Sequence, residues 1–380
     1  MEKELVGLKQ RLGILGGGQL GRMLIQEAIS YNVHIDVMER TKEAPSSVIA
    51  NSYTVGEITD YDDVLKFGKD KDVITVEIEN VNIEALKELE KLGTKVFPQP
   101  NILEIIKDKG LQKQFYIDNN IPTSPFELTD NSTSLEILEA KIPFVHKLRK
   151  GGYDGNGVQL IRSTEDLQNV FTEDSLAEDL VPFAKELSVI VARNEDGETA
   201  VYQTVECEFN DANLVAFLFS PAEINETIEK KAEELAISVI NAFEMVGLLA
   251  VELFLLPNGE LLVNEVAPRP HNSGHHTIEC NVTSQFEQHM RSVLNMPLGS
   301  TEMIRKGAMI NLLGAPGFDG EAIYEGMNSA LKFPGVHVHL YGKAFTRGNR
   351  KMGHITVSGD DLQEAKSIAQ KVLNTVRVIS

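Results

Sequence analysis

Cysteine is scarce in this chain. Cys207 and Cys280 are the only two in 380 residues, and so few, so far apart, exclude a disulfide framework and a four-ligand zinc site; both are expected to be small buried side chains. Long apolar runs are also missing. None approaches the roughly 20 residues needed to cross a bilayer, and the longest, Val246 to Leu256, is broken by Glu252. The start, MEKELVGLKQ, lacks the apolar core of a signal peptide, so a cytoplasmic protein is expected. Positive charge is in deficit: 36 Lys and Arg against 56 Asp and Glu give a net charge of −20. That balance disfavours nonspecific binding to a phosphate backbone, and no nucleic acid or membrane partner is expected. A small phosphorylated ligand stays compatible, because a glycine loop, a helix N-terminus and a few placed cations hold one locally.

What is present is an ordinary globular composition, 42% hydrophobic and 24% charged, in a length that allows two or three domains. Strand and helix patterns alternate through the first hundred residues: strands at 11–15, 34–38, 73–76 and 95–97, helices at 19–30, 60–66 and 83–92. Such alternation predicts a doubly wound parallel sheet. One helical stretch is expected over 102–119. From about residue 140 the texture becomes α+β, with strands at 143–148, 158–161, 186–192, 199–205, 248–256 and 260–266, and helices at 226–243 and, near the end, 362–373. Three units are expected, 1–100, 101–300 and a small β-rich 301–380.

Gly16, Gly18 and Gly21 fit G-x-G-x-x-G between a strand and a helix, and Glu39 stands where a ribose-binding acid would in a dinucleotide site. Other uses of the same loop are another anionic ligand or simple close packing. More informative is LLAVELFLLPNGELLVNEVAPRPHNSGH. Asn258-Gly259 predicts a two-residue hairpin turn, which sets Glu252 opposite Glu265 with Cβ atoms about 5 Å apart. Two carboxylates so placed repel by roughly 3 kcal/mol at an effective dielectric of about 20. A cation is expected between them, and hard oxygen ligands without neighbouring Cys suit Mg²⁺; the alternative is that one glutamate faces solvent.

A second glycine loop, Lys150 to Val158, follows Lys147 at a strand end. Its amides can fold over phosphates, with Lys147 as a point charge; a plain hairpin connection is the other reading. Glu178 to Val181 reads as a strand edge able to pair with a base.

Together GILGGGQLGRM, VEIEN at 76–80, KGGYDGNG at 150–157, NEVAPRPHNSGH at 264–275 and YGK with RGNRKMGH at 341–354 resemble the N5-carboxyaminoimidazole ribonucleotide synthases, ATP-grasp enzymes of purine biosynthesis. The resemblance spans nearly the whole chain. It implies a central ATP-grasp domain and a biotin-independent carboxylation of aminoimidazole ribonucleotide, using ATP, Mg²⁺ and bicarbonate through carboxyphosphate, in a homodimer. ATP contacts are implied at Lys109, Lys147, Gly152, Tyr153, Asp154, Gly155, Asn156, Gly157, Val158, Glu178, Val181, Glu186, Asn264 and Glu265, and metal ligation at Glu252 and Glu265. The ribonucleotide falls to Gln19, Leu20, Glu79, Tyr153, Asp154, Asn272, Lys343, Arg350 and Lys351, where cations neutralise a phosphate. Glu79, Tyr153, Arg269, His271 and His275 are the catalytic candidates, with Arg269, His271, Ser273 and His275 proposed to position bicarbonate or carboxyphosphate.

Two positions depart from the family pattern. Asn156 replaces the usual Arg or Lys, with Lys150 as a possible substitute, and Cys207-Glu208-Phe209 replaces an Asn-x-His run after Glu206. Competing readings are an ATP-grasp ligase acting on another ribonucleotide, such as a glycinamide ribonucleotide transformylase, a nicotinamide-dependent dehydrogenase, and a non-catalytic nucleotide sensor.

Overall fold

In the computed structural model, which describes residues 9–152, 157–209 and 215–380, the apolar runs of the first hundred residues form a five-stranded parallel sheet. Its elements are β1 (Arg11–Leu15), α1 (Gln19–Ser30), β2 (His34–Glu39), β3 (Ser52–Val55), α2 (Tyr61–Gly68), β4 (Val73–Val76), α3 (Ile83–Lys91) and β5 (Lys95–Val96). The strand order is β3-β2-β1-β4-β5. Leu12 to Leu15 and all of β4 are buried, as strands covered on both faces must be. The pattern missed β3, an edge strand too short and too exposed to show alternation. Gly16, Glu39 and Glu77 stand at the carboxyl ends of β1, β2 and β4, where open α/β sheets hold ligands.

The stretch expected as one helix is two, α4 (Pro100–Ile106) and α5 (Lys109–Asp118). Asp108 divides them. Its carboxylate accepts from Gly110 N (2.9 Å) and Leu111 N (3.2 Å), an N-cap that starts a new helix. Arg149 donates to both of its oxygens at 2.9 and 2.8 Å. The break sets Lys109 at the first position of α5.

A four-stranded sheet follows, from β6 (Phe126–Thr129), β7 (Phe144–Leu148), β8 (Val158–Ile161) and β9 (Ser175–Asp179), in the order β6-β9-β7-β8. A larger sheet is built from β10 (Lys185–Arg193), β11 (Thr199–Val201), β12 (Val205–Phe209), β13 (Val215–Ser220), β14 (Gly247–Leu255), β15 (Leu261–Ala267) and β16 (Lys306–Leu313). The strands Lys351–Gly359 and Val336–Leu340 extend it beyond β16, so the last eighty residues share a sheet with the central ones. The single strand expected at 199–205 is split into β11 and β12, and between them Thr204 N turns to the Glu229 carboxylate (2.8 Å).

On one face of β10 and β14, Leu187, Val189, Val251 and Leu253 pack under Ala232, Ala236, Val239 and Ile240 of the helix Glu226–Ala242. Alternation then turns Glu186, Ser188, Glu252 and Phe254 to the other face. A second core joins Met23, Leu24 and Ile25 of α1 to Phe286, Met290 and Val293 of the helix Gln285–Val293. This core fixes the parallel sheet against the large one. Among the described residues no helix is long and apolar enough to cross a membrane, and both cysteines are free and buried.

Candidate active site

Glu252 of β14 does face Glu265 of β15, but the turn is not the expected one. Leu256 N donates to Glu260 O and Gly259 N to Leu256 O, both at 2.9 Å, enclosing a three-residue loop with Gly259 at φ 82°. That loop sets Leu255 against Leu261 and Leu253 against Val263. Continued, this register would put Asn264 opposite Glu252. A bulge between Leu253 and Glu252 shifts it by one residue, leaves Asn264 without an opposite partner and brings Glu265 into line. The bulge therefore supplies two polar groups beside Glu252 where a regular ladder would supply one.

Cations surround the pair. Lys109 ion-pairs with Glu265. Lys147, at the end of β7, donates to Glu178 Oε2 (3.0 Å) and Asn264 Oδ1 (3.1 Å). Lys113, one turn beyond Lys109 on α5, is buried; it donates to Thr123 Oγ1 (2.6 Å) and Ser124 Oγ (2.9 Å) and lies 3.4 Å from Glu178 Oε1. Sequence reasoning missed Lys113. The signal was its i, i+4 spacing from Lys109, visible only once Asp108 is taken as a cap.

These charges act on one another. Burial and the neighbouring Glu265 push the Glu252 carboxyl up, whereas Lys109 holds Glu265 below its ordinary range against the effect of burial. Burial would raise Glu178 too, but Lys147 and Lys113 overcome it and hold the carboxyl low. Burial pushes Lys113 down to about 8 and Glu186 up to about 7. Among the described residues no three His, Cys, Asp or Glu form a metal cage. Two facing carboxylates with Asn264 alongside offer hard oxygen donors and leave the remaining positions to water and phosphate, which fits Mg²⁺.

The first glycine loop is occupied by the protein itself. Gly18 N and Gly21 N each donate to the Glu77 carboxylate at 2.6 Å, and Gly17 N donates to Glu39 Oε2 at 3.1 Å. A Cβ on Gly16 or Gly18 would come within 2.4 or 2.3 Å of the Glu77 side chain. These glycines make room for a glutamate, and Glu39 is bound to the loop, so the dinucleotide reading loses both of its supports.

The second glycine loop joins antiparallel β7 and β8, so it is a hairpin connection as well as a candidate phosphate cover. Gly152, Gly157 and Val158 flank it; Tyr153, Asp154, Gly155 and Asn156 lie outside the described residues. Lys150 Nζ is 3.6 Å from Asp108. β9 ends at Asp179, so the expected strand edge does not reach Val181, whose carbonyl accepts from Phe183 N (3.0 Å). Phe183 stacks on Phe254 with ring centroids 4.8 Å apart, an aromatic contact the sequence did not reveal.

Glu79 lies 2.9 Å from Arg269 Nε. His271 Nε2 is 3.6 Å from Glu252 Oε1, and its Nδ1 lies 2.9 Å from Ser273 Oγ, which meets Ser188 Oγ at 2.8 Å. The carboxylate pair, His271, Lys109 and Lys147 are thus brought together. His275 is not brought with them: it is 2% exposed, its ring lies 4.6 Å from that of His354, and burial pushes its pKa well down. Asn272 and Asn311 exchange amide hydrogen bonds at 2.8 and 3.0 Å. Lys343 donates to Lys351 O and Arg350 to Phe345 O, both at 2.7 Å, grouping the three cations around the strand Lys351–Gly359. Gln19 and Leu20 form the first turn of α1.

Three domain families match in order: a ribonucleotide synthetase preATP-grasp domain over 9–107, an ATP-grasp domain over 114–286, and a phosphoribosylaminoimidazole carboxylase C-terminal domain over 307–368. The N5-carboxyaminoimidazole ribonucleotide synthase of Bacillus subtilis is 35% identical, over 94% of this chain and 93% of that one. The crystal structure of the synthetase from Thermotoga maritima is 41% identical with a TM-score of 0.91, covering 98% of this chain and 99% of that one. The synthase from Aspergillus clavatus, solved with ADP and 5-aminoimidazole ribonucleotide, is 31% identical with a TM-score of 0.89 over 97% and 99% of the two chains. Phosphoribosylaminoimidazole carboxylases from yeasts also match, and the chain spans about two thirds of their length. Paired glutamates, flanking lysines, the order of the three domains and full-length likeness to the bacterial enzymes converge: the chain belongs to the N5-carboxyaminoimidazole ribonucleotide synthase family of ATP-grasp ligases.

Proposed function

We propose that the protein carboxylates the exocyclic amine of 5-aminoimidazole ribonucleotide, with ATP and bicarbonate as co-substrates and without biotin. The observation that carries this reading is Glu252 facing Glu265 between Lys109 and Lys147. A related synthase solved with ADP and the ribonucleotide supports the choice of substrate.

A bicarbonate oxygen takes the γ-phosphoryl group, releasing ADP and forming carboxyphosphate. The amine nitrogen then attacks the carboxyl carbon, the bond from that carbon to the phosphate oxygen breaks, phosphate leaves and the nitrogen loses a proton. Lys109 and Lys147 hold the β- and γ-phosphates and neutralise charge as it moves to the acceptor. The loop from Gly152 to Val158 covers the phosphates, Glu186 accepts from the ribose hydroxyls, and Glu178 and Val181 border the base. Glu252, Glu265 and Asn264 would hold Mg²⁺, which when bound supplies the compensating charge. Arg269 and His271 orient bicarbonate, and His275, buried against His354, is left without a role in the reaction. Glu79 holds the amine, and Gln19, Leu20, Asn272, Lys343, Arg350 and Lys351, with Tyr153 and Asp154, bind the ribonucleotide. A cytoplasmic homodimer completes the proposal.

A coupled ADP-release assay with and without aminoimidazole ribonucleotide tests it. Release stimulated by this compound in the presence of bicarbonate is expected; indifference to it, with stimulation by another ribonucleotide, would reassign the substrate.

A further inference from the structure

Four amides stand at the start of α1. The first intrahelical bond runs from Arg22 N to Gly18 O (3.1 Å), so the N–H groups of Gly18, Gln19, Leu20 and Gly21 need other partners. No side chain of the helix caps them, and its first turn has no acid of its own. Glu77 arrives from β4, where its backbone N donates to Leu15 O (3.0 Å), and its two carboxylate oxygens take Gly18 N and Gly21 N at 2.6 Å each. Gln19 N and Leu20 N, held between the two tied positions, have no hydrogen-bond partner among the described residues. Gly16 and Gly18 have no room for a side chain beside Glu77, since a Cβ would lie 2.4 and 2.3 Å from it, and at Gly21 a Cβ would be tight against Ser46 Oγ (3.1 Å) and Glu77 (3.2 Å). Two residues on, Glu79 meets Arg269. One short segment therefore clamps the loop and presents Glu79.

We infer that Glu77 is a positioning residue for the ribonucleotide: an internal carboxyl acceptor that holds the start of α1 so that the Gln19 and Leu20 amides stand at a fixed place relative to Glu79. This rests on the reading that Gln19, Leu20 and Glu79 contact the ribonucleotide. Because the carboxylate already satisfies the ends of the turn, the loop offers the ligand two neutral donors in place of a phosphate cradle.

The test compares Glu77→Ala and Glu77→Gln with the unaltered enzyme in the ADP-release assay, varying each substrate. In Glu77→Ala, KM for aminoimidazole ribonucleotide should rise about tenfold or more while KM for ATP stays within about twofold, the pattern of a lost binding contribution on one substrate. Added acetate should fill the vacated place and bring that KM back in Glu77→Ala, yet do nothing in Glu77→Gln, whose amide occupies the space and turns a donor toward a donor. An unchanged KM, equal rises for both substrates, or failure of acetate to rescue would overturn the proposal. Should Glu77→Ala not fold, Glu77→Gln carries the comparison alone, and an unchanged ribonucleotide KM there overturns it. If the unaltered enzyme ignores aminoimidazole ribonucleotide, the functional reading falls and this inference with it; if it responds and the variants keep its KM, only the role of Glu77 falls.

Discussion

Glu186→Gln is expected to stabilise the empty protein while weakening its hold on ATP. Glu186 lies on β10 between Cys207 and Phe254 and borders a small cavity with Glu252 and Asn264. Burial raises its pKa from 4.5 to about 7, and only Lys147 works in the other direction. Between these two values the native protein holds a proton that the unfolded chain has lost, so stability falls as pH rises through the window and the cost is complete above pH 7. At about 1.4 kcal/mol per unit the full cost would be roughly 3 kcal/mol, and solvent screening at a partly exposed side chain reduces it to about 2 kcal/mol. Glutamine keeps the shape and removes the charge. In protein free of nucleotide and Mg²⁺, urea unfolding should show Glu186→Gln more stable by about 2 kcal/mol at pH 8 and by about 0.5 kcal/mol at pH 5. On the proposed role of Glu186 as acceptor for the ribose hydroxyls, loss of its charge should raise KM for ATP roughly tenfold or more. Equal shifts at both pH values, or a variant less stable at pH 8, would refute the reasoning.

Four other outcomes follow from the same geometry. Glu265→Gln should reduce ADP release to below about one hundredth, as loss of a key electrostatic group does elsewhere, with an unaltered circular dichroism spectrum; near-normal release would remove the metal assignment. Lys113→Met leaves Glu178 with one cation, Lys147, and the Ser124 hydroxyl, so KM for ATP should rise about tenfold while KM for the ribonucleotide stays put. Asn264→Ala deprives Lys147 of one of its two acceptors and should raise KM for ATP severalfold without lowering the thermal midpoint by more than a few degrees. Gly259→Ala places a side chain at φ 82° with its Cβ 3.3 Å from Ile228, so it should cost about 1–2 kcal/mol in urea unfolding and leave both KM values unchanged.

Elements with long periodic patterns were legible. Helix α1 begins and ends at the expected residues, and β1, β4 and β8 match as well, because buried faces leave a strong imprint on composition. The failures are where a single side chain decides. Asp108 cuts one helical pattern into two by offering its carboxylate to Gly110 and Leu111, and no periodicity carries that information. The glutamate pairing came out correctly from an incorrect turn: a three-residue loop shifts the register one way and the bulge at Asn264 shifts it back. Two local errors cancelled because only their sum sets which residues face each other. The glycine fingerprint was ambiguous for a related reason, since glycines are needed wherever anything approaches the backbone closely, and here the approaching group is Glu77 from a distant part of the chain.

The charge of the pocket explains why the nucleotide should need a divalent ion to bind, apart from any need for one in the reaction. Lys109, Lys113 and Lys147 stand against Glu178, Glu186, Glu252 and Glu265, an excess of one formal negative charge in a protein that is already at −20. The lysines are also engaged: Lys109 with Glu265, Lys147 and Lys113 with Glu178. A triphosphate entering alone must take Lys109 from Glu265 and leave that carboxylate facing Glu252 unpaired. Losing a cation at about 4 Å costs a carboxylate roughly 4 kcal/mol at an effective dielectric of about 20, part of which the new contact of Lys109 with phosphate returns, so a net loss of about 3 kcal/mol, or about a hundredfold in affinity, is expected. ATP should therefore bind at least about a hundredfold more weakly in EDTA than with Mg²⁺ when followed by calorimetry, without turnover. In Glu265→Gln that difference should shrink, because Lys109 then leaves no unpaired carboxylate behind when it turns to the triphosphate. Equal ATP affinity with and without Mg²⁺ in the unaltered protein would show that Glu252 and Glu265 do not govern entry of the triphosphate.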